Sequence, residues 1–335
     1  MGEKTVTISD IAHIAGVSKS TVSRALNDSP LISDKVKENI HEIALQHNFQ
    51  FNQAARNLSR QKTDTLAFLF PHYRGSDHYT KQPFPMELLR GIIFATNKYG
   101  YNLLLSESNF ESWRDSYKYV NSKQADGLII ISPDPHDNTI IELIEKDIKF
   151  VTWGIPENKG YCTVNSNNLD GGLIATEHLI KKGRKKICFL GMEEDNFETV
   201  MRFLGCDHAT QQSNINVCSS CIAYGTNSQS SGYENMKKII QQQPDIDGVF
   251  CCSDLIALGA IEALTEYGKS VPNDVSVIGF GDLPLAQMVT PKITTIRNDI
   301  WRAGEQMVEN LDHCLKTGEI RNSIIPVELV IRETT

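Results

Sequence analysis

Residues 7–27 read Thr7-Ile8-Ser9-Asp10-Ile11-Ala12-His13-Ile14-Ala15-Gly16-Val17-Ser18-Lys19-Ser20-Thr21-Val22-Ser23-Arg24-Ala25-Leu26-Asn27. Thr7, with Asp10 three residues later, has the form of a capping box at a helix start. Ile8, Ile11, Ala12 and Ala15 then share one helical face. Gly16 supplies the left-handed residue that ends a helix, and Ser18 caps a second one almost at once. On the second helix Val22, Ala25 and Leu26 turn inward, leaving Lys19, Ser20, Thr21, Ser23 and Arg24 outside. Two short helices joined by a glycine-containing turn, the second outwardly polar and basic, make a helix-turn-helix pattern. An ordinary helical hairpin with a solvated face is the plainer alternative.

The run A-G-V-S-x-x-T-V-S-R-x-L-N, Ala15 to Asn27, resembles the signature of the lactose-repressor (LacI/GalR) family of bacterial transcription regulators. The resemblance implies a homodimer on palindromic operator DNA. It places Thr7, Ser18, Lys19, Ser20, Thr21, Ser23, Arg24 and Asn27 at that DNA, with Lys19, Ser20 and Arg24 meeting major-groove base edges. Arginine suits a two-pronged contact with guanine.

Composition bounds the rest. The chain has 335 residues, enough for two or three domains. Its 40% hydrophobic content argues against disorder. The net charge of -8 looks wrong for a DNA binder, but it is unevenly distributed. Residues 1–63 carry eight Lys and Arg against six Asp and Glu, a local +2, which leaves -10 on the remainder. A mildly basic head on an acidic body can meet phosphates locally while the body stays soluble. No N-terminal stretch reads as a signal peptide and no apolar run is long enough to span a membrane. A cytoplasmic protein without membrane association is expected. Its eight cysteines then read as free thiols. Cys218-Ser219-Ser220-Cys221 has redox or metal spacing but no second ligand pair, and Cys251-Cys252 reads as strand core. No metal or cofactor is expected.

A third helix follows the first two, capped by Ser33 and buried through Val36, Ile40, Ile43 and Ala44. Together the three form an all-α helix-turn-helix domain over residues 1–50, too small to be more than marginally stable alone. Residues 51–63 lack a core stripe. Asn52 could cap a short helix with Ala54, Ala55 and Leu58 on one side and Arg56 and Arg60 on the other; a solvated linker is the alternative. Here N-x-A-A-R-x-L resembles the family's hinge helix, which pairs with its dimer mate in the minor groove. That likeness puts Asn52, Ala55, Arg56 and Leu58 at the DNA, with Leu58 as a wedge between base pairs.

From residue 64 short apolar runs alternate with amphipathic stretches. Strands are expected at 66–70, 102–105, 127–131 and 149–153, then at 186–191, 219–224, 248–252 and 275–279. Helices are expected at 85–98, 112–122 and 138–146, then at 168–181, 195–211, 229–242 and 254–267. A strand, a helix over 299–316 and a last strand over 323–329 complete the chain. Strand–helix alternation implies parallel, doubly wound sheets. Two arrays of similar size imply an α/β core of two Rossmann-like lobes, resembling periplasmic binding proteins. Lobe 1 is drawn near 64–161 and 292–320, lobe 2 near 162–291 and 321–335, with a ligand at the strand C-termini between them.

No nucleophile elbow, phosphate-binding loop or zinc-protease motif is present, so an enzyme is not expected. His178 on an amphipathic helix reads as structural. The effector site implied by the resemblance comprises Phe84, Trp153, Arg202, Ser253 and Asp282. Arg202 matches an arginine that reaches the effector, Phe84 and Trp153 would wall a sugar ring, and Ser253 stands where many members have Asn. After Gly279-Phe280 the family usually has two acids. Here Gly281 replaces the first, leaving Asp282. The expected function is an effector-responsive repressor of carbohydrate genes, its ligand a sugar or sugar derivative. A sugar-binding protein, cytoplasmic or exported, and a regulator that has lost small-molecule control are the alternatives.

Overall fold

The computed structural model describes residues 6–49, 62–72, 83–109, 117–131, 138–154, 160–194, 196–215, 217 and 219–335. The chain divides into two compact units, Met1–Thr63 and Asp64–Thr335.

In the first unit α1 (Ile8–Ala15), α2 (Lys19–Leu26) and α3 (Asp34–Gln46) pack on one another. Their apolar faces meet in a small core of Ile11, Ala12, Val22, Ala25 and Ile40, with Ile8, Leu26, Val36 and Ile43 at its edge. The Thr7–Asp10 capping box forms, and Gly16 adopts φ 67° to turn the chain between α1 and α2. Ser33 sits at the start of α3 in extended conformation but makes no side-chain cap bond, unlike the cap expected of it.

Among its described residues the second unit holds two six-stranded sheets. Their strands are β1 (Thr65–His72), β2 (Asn102–Asn109), β3 (Gly127–Ile131), β4 (Phe150–Trp153), β5 (Cys162–Ser166), β6 (Ile187–Gly191), β7 (Ile222–Tyr224), β8 (Gly248–Cys251), β9 (Ser276–Gly281), β10 (Thr294–Asn298), β11 (Asn322–Ile325) and β12 (Val327–Val330). The helices are α4 (Pro83–Tyr99), α5 (Lys118–Asn121), α6 (Asn138–Glu145), α7 (Asn168–Lys181), α8 (Phe197–Gln212), α9 (Gln229–Gln242), α10 (Asp254–Glu266), α11 (Leu285–Met288) and α12 (Ile300–Thr317). The first sheet runs β11-β5-β4-β3-β1-β2 and the second β12-β10-β9-β8-β6-β7. Every pairing is parallel except β10 with β12. Strands β3, β4, β5, β6 and β8 are buried along their whole length. Helices cover both faces of such sheets, which is why most of these strands read as continuous apolar runs.

Three helix pairs approach so closely that only glycine fits at the crossings. A Cβ on Gly91 would stand 1.9 Å from the Trp301 carbonyl oxygen, and one on Gly304 2.2 Å from that of Leu88, where α4 meets α12. Gly172 and Gly205 play the same part for α7 and α8, as do Gly232 and Gly259 for α9 and α10.

The chain passes between the sheets three times, after β5, after β10 and between β11 and β12. The lobe boundaries therefore move from those expected. Residues 162–166 belong to the first sheet because β5 pairs with β4, and residues 294–298 belong to the second because β10 pairs with β9. The single last strand expected over 323–329 is two. Pro326 lacks the N–H that a continuing ladder needs, so β11 ends on the first sheet and β12 begins on the second. At the crossovers Asn298 Nδ2 donates to Ser166 Oγ at 2.9 Å, and the Asn167 amide donates to the Ile325 carbonyl at 3.0 Å.

Candidate functional site

The head presents one polar face of α2. Lys19, Ser20 and Arg24 are exposed, while Thr21, Ser23 and Asn27 are half-buried. The other polar groups of the expected set close the helix ends. Thr7 donates through N and Oγ1 to Asp10 Oδ2 at 2.8 and 2.7 Å. Ser18 Oγ accepts from the Thr21 amide at 3.1 Å. Asn27 Nδ2 donates to the Ser23 carbonyl at 2.8 Å. Asp28, just beyond α2, is paired with Lys37 at 2.8 Å, and that ammonium holds its carboxyl below the usual range. Asp28 is thus charge-matched within the head. Asn52, Ala55, Arg56 and Leu58 lie outside the described residues.

In the core, four of the five expected effector residues converge at the C-terminal ends of the parallel strands. Trp153 closes β4 in the first lobe, and its ring lies 5.6 Å from that of Phe84 in the first turn of α4. Trp153 is fully buried, so its face is covered rather than open as a wall. Its Nε1 donates across to Glu198 Oε1, in the first turn of α8 of the second lobe, at 3.0 Å.

Arg202 lies one turn further along α8, and its guanidinium runs into the second lobe. Nε donates to Asn168 Oδ1 at 2.9 Å and Nη1 to the Cys252 carbonyl at 2.6 Å. Nη2 faces Glu198 Oε2 at 3.8 Å, and the cation sits 3.7 Å from the centroid of Phe280. The neighbouring Ser253 caps α10 through the Ile256 amide and donates to Asn227 Oδ1 at 2.6 Å.

Asp282 does not join this group. Its carboxylate is buried between Arg297 at 2.7 Å and Arg332 at 2.5 Å, so both oxygens are committed to holding the end of the second sheet. Gly281 beside it adopts φ +125°, a conformation that side chains rarely tolerate. Asp254 is fully buried below, accepting from the Leu283 amide at 2.7 Å and Thr295 Oγ1 at 2.5 Å. Burial pushes its carboxyl up to about 6 against those hydrogen bonds. His178 is buried with Nε2 2.9 Å from Thr335 Oγ1, and burial lowers its pKa; it stands apart from the cleft group. The described cysteines are free and buried.

Sequence reasoning missed Glu198, Asn168 and Asn227. For Glu198 a signal existed: an acid four residues before Arg202 on one helix is a spacing at which side chains meet. Asn168 and Asn227 meet their partners only through tertiary folding.

A helix-turn-helix unit joined in one chain to a two-lobed α/β core defines a DNA-binding regulator with a ligand-binding core. Residues 7–52 match the family model for bacterial regulatory proteins of the lacI family, and residues 176–335 the model for a periplasmic binding protein-like domain. The HTH-type transcriptional regulator RegA of Clostridium saccharobutylicum is 33% identical over 98% of both chains. The HTH-type transcriptional repressor PurR of Histophilus somni is 30% identical over 98% of both. The chain belongs to the LacI family of transcription regulators, a family of DNA-binding proteins and not of enzymes. Among solved structures, the Lac repressor dimer bound to operator and an anti-inducer superimposes with TM-score 0.85 at 23% identity over 99% of both chains. The CelR–cellobiose complex gives 0.76 at 25% identity, covering 98% of this chain and 100% of that one. Among the described residues no helix is long and apolar enough to cross a membrane.

Proposed function

We propose that this regulator is a homodimeric, cytoplasmic repressor that binds a palindromic operator and is controlled by a carbohydrate in the cleft between its lobes. Lys19, Ser20 and Arg24 read base edges, and the segment with Asn52, Ala55, Arg56 and Leu58 acts as hinge. The observation that carries the ligand reading is the convergence of Phe84, Trp153, Glu198, Arg202 and Ser253 at the strand C-termini of both sheets. The half-buried Phe84 ring, backed by the buried Trp153, offers an apolar face, and the fixed polar groups offer hydrogen-bond partners at a sugar's rim. Solved relatives with cellobiose and with ribose support the ligand class.

The test is a thermal-shift screen of the purified chain against neutral sugars, sugar phosphates and purines. A ligand that binds only the folded state raises the midpoint by mass action. A neutral sugar is expected among the hits; a response confined to purines would overturn the carbohydrate reading.

A further inference from the structure

Where the lobes meet, a fixed cation stands beside a fixed carboxylate, and their partners decide which of them a ligand meets. A guanidinium has five N–H donors. On Arg202 the Nε and Nη1 groups are engaged by Asn168 and the Cys252 carbonyl, and the cation is stacked on Phe280. Its Nη2 faces the carboxylate of Glu198, so the charge is matched from within the protein. Only 6% of the Arg202 side chain is exposed.

Glu198 is less saturated. A carboxylate can accept about four hydrogen bonds. Glu198 Oε1 takes one, from Trp153, and Oε2 stands 3.8 Å from Arg202, beyond hydrogen-bond range. It also touches both lobes, Trp153 from the first and Arg202 from the second.

Taking the cleft as the effector site, we propose that Glu198 sets its charge selectivity. The carboxylate accepts from neutral ligands that carry hydroxyl donors, and it bars ligands bearing a phosphate or carboxylate. An anion reaching for Arg202 must displace an internal carboxylate and meet a like charge in a poorly hydrated site, where such repulsion is only weakly screened. A neutral polyol needs neither; it takes up acceptor capacity that Trp153 leaves open. Because Trp153 bonds the same carboxylate, a ligand drawn to Glu198 also changes the link between the lobes.

The experiment uses the full-length chain with Trp113 and Trp301 replaced by Phe, which leaves Trp153 as the one indole of three. Glu198→Gln and Glu198→Ala are compared with the parent. Each is titrated with inorganic phosphate at constant ionic strength, reading Trp153 emission and the melting midpoint. The parent is expected to show no saturable response. Both variants are expected to saturate, with a midpoint at least about tenfold below the highest phosphate concentration at which the parent stays unresponsive. If Glu198→Ala fails to fold, the isosteric Gln, which keeps an acceptor for Trp153, carries the test alone. Saturation of the parent at the same phosphate concentrations, or no gain in a folded variant, overturns the assignment. If phosphate binding is gained while no sugar binds the parent in the screen, the carbohydrate reading fails and the charge matching stands.

Discussion

At the scale of single residues, the second lobe is organised by where carboxylates find donors. Asp254 is the sharpest case, because its carboxyl titrates near 6 rather than at its ordinary 3.8. A folded-state pKa above the unfolded value means that the native protein holds the proton more tightly. Stability contributed by that proton is present below pH 3.8 and lost as pH rises to about 6. Asp254→Asn removes this titration while keeping one acceptor for the Leu283 amide or the Thr295 hydroxyl. The melting midpoint of the parent minus that of Asp254→Asn is therefore expected to fall between pH 4 and 6, a window that follows from the two pKa values. A pH-independent difference would show that burial does not penalise the charge. Asp282 shows how far residue identity was legible. Its acidity was plain in the sequence, but its commitment to Arg297 and Arg332 was not. Those partners come from β10 and from the stretch after β12, and only tertiary folding brings them together. Arg202 was singled out in the sequence, and the structure sets it beside Glu198 and the Cys252 carbonyl, but its burial makes it a poor site for a simple test. Truncation would leave Asn168 and the Cys252 carbonyl without a donor and cost stability as well as response.

At the scale of elements, strands that are apolar along their length announced themselves, and polar ones did not. β5 was missed because Cys162-Thr163-Val164-Asn165-Ser166 has no apolar run. It is nevertheless buried throughout, because Asn322 and Asn310 supply partners from β11 and α12. Asn322 Oδ1 accepts from the Thr163 amide at 3.1 Å and its hydroxyl at 3.0 Å, and Asn310 Nδ2 reaches the Thr163 carbonyl at 3.4 Å. The short α11 was not read, but helices α7 to α10 were read nearly to the residue from the amphipathic stretches. In the structure side-chain caps punctuate them, such as Asn167 for α7, Ser228 for α9 and Ser253 for α10. Their spacing in depth was not legible; it rests on paired glycines. A methyl group on Gly172 would stand 2.0 Å from the Arg202 carbonyl oxygen, so α7 and α8 must separate to admit it. Gly172→Ala is expected to cost about 1–3 kcal/mol in denaturant unfolding, and to shift Arg202 and Glu198 enough to weaken sugar binding. Unchanged stability would mean that the helices part without penalty. The segment proposed as a hinge, which lies outside the described residues, is tested at this scale too. If Leu58 wedges into the minor groove, Leu58→Ala should sharply weaken binding to a specific duplex and reduce its bend, measured by fluorescence transfer between end labels. The salt-dependent affinity for random DNA should remain. An unchanged bend with unchanged specific affinity would return that segment to a linker.

For the whole molecule, the alternation of strands and helices made two α/β lobes legible, and the Thr7–Asn27 run made the head legible. The three passages between lobes were harder to read. They depend on which sheet a strand pairs with, and Pro326 separates two strands that looked like one. Control of DNA affinity by a ligand between the lobes, as proposed, must be reciprocal. It is tested most directly by anisotropy titration of a labelled palindromic duplex, selected by this protein from a random pool. The titration is run without sugar and with the sugar from the thermal-shift screen at saturation. The dissociation constant is expected to change by about 5–150-fold, the range of a typical allosteric coupling, and the sugar's affinity by the same factor on the DNA-bound protein. Equal dissociation constants with the cleft empty and saturated would contradict it.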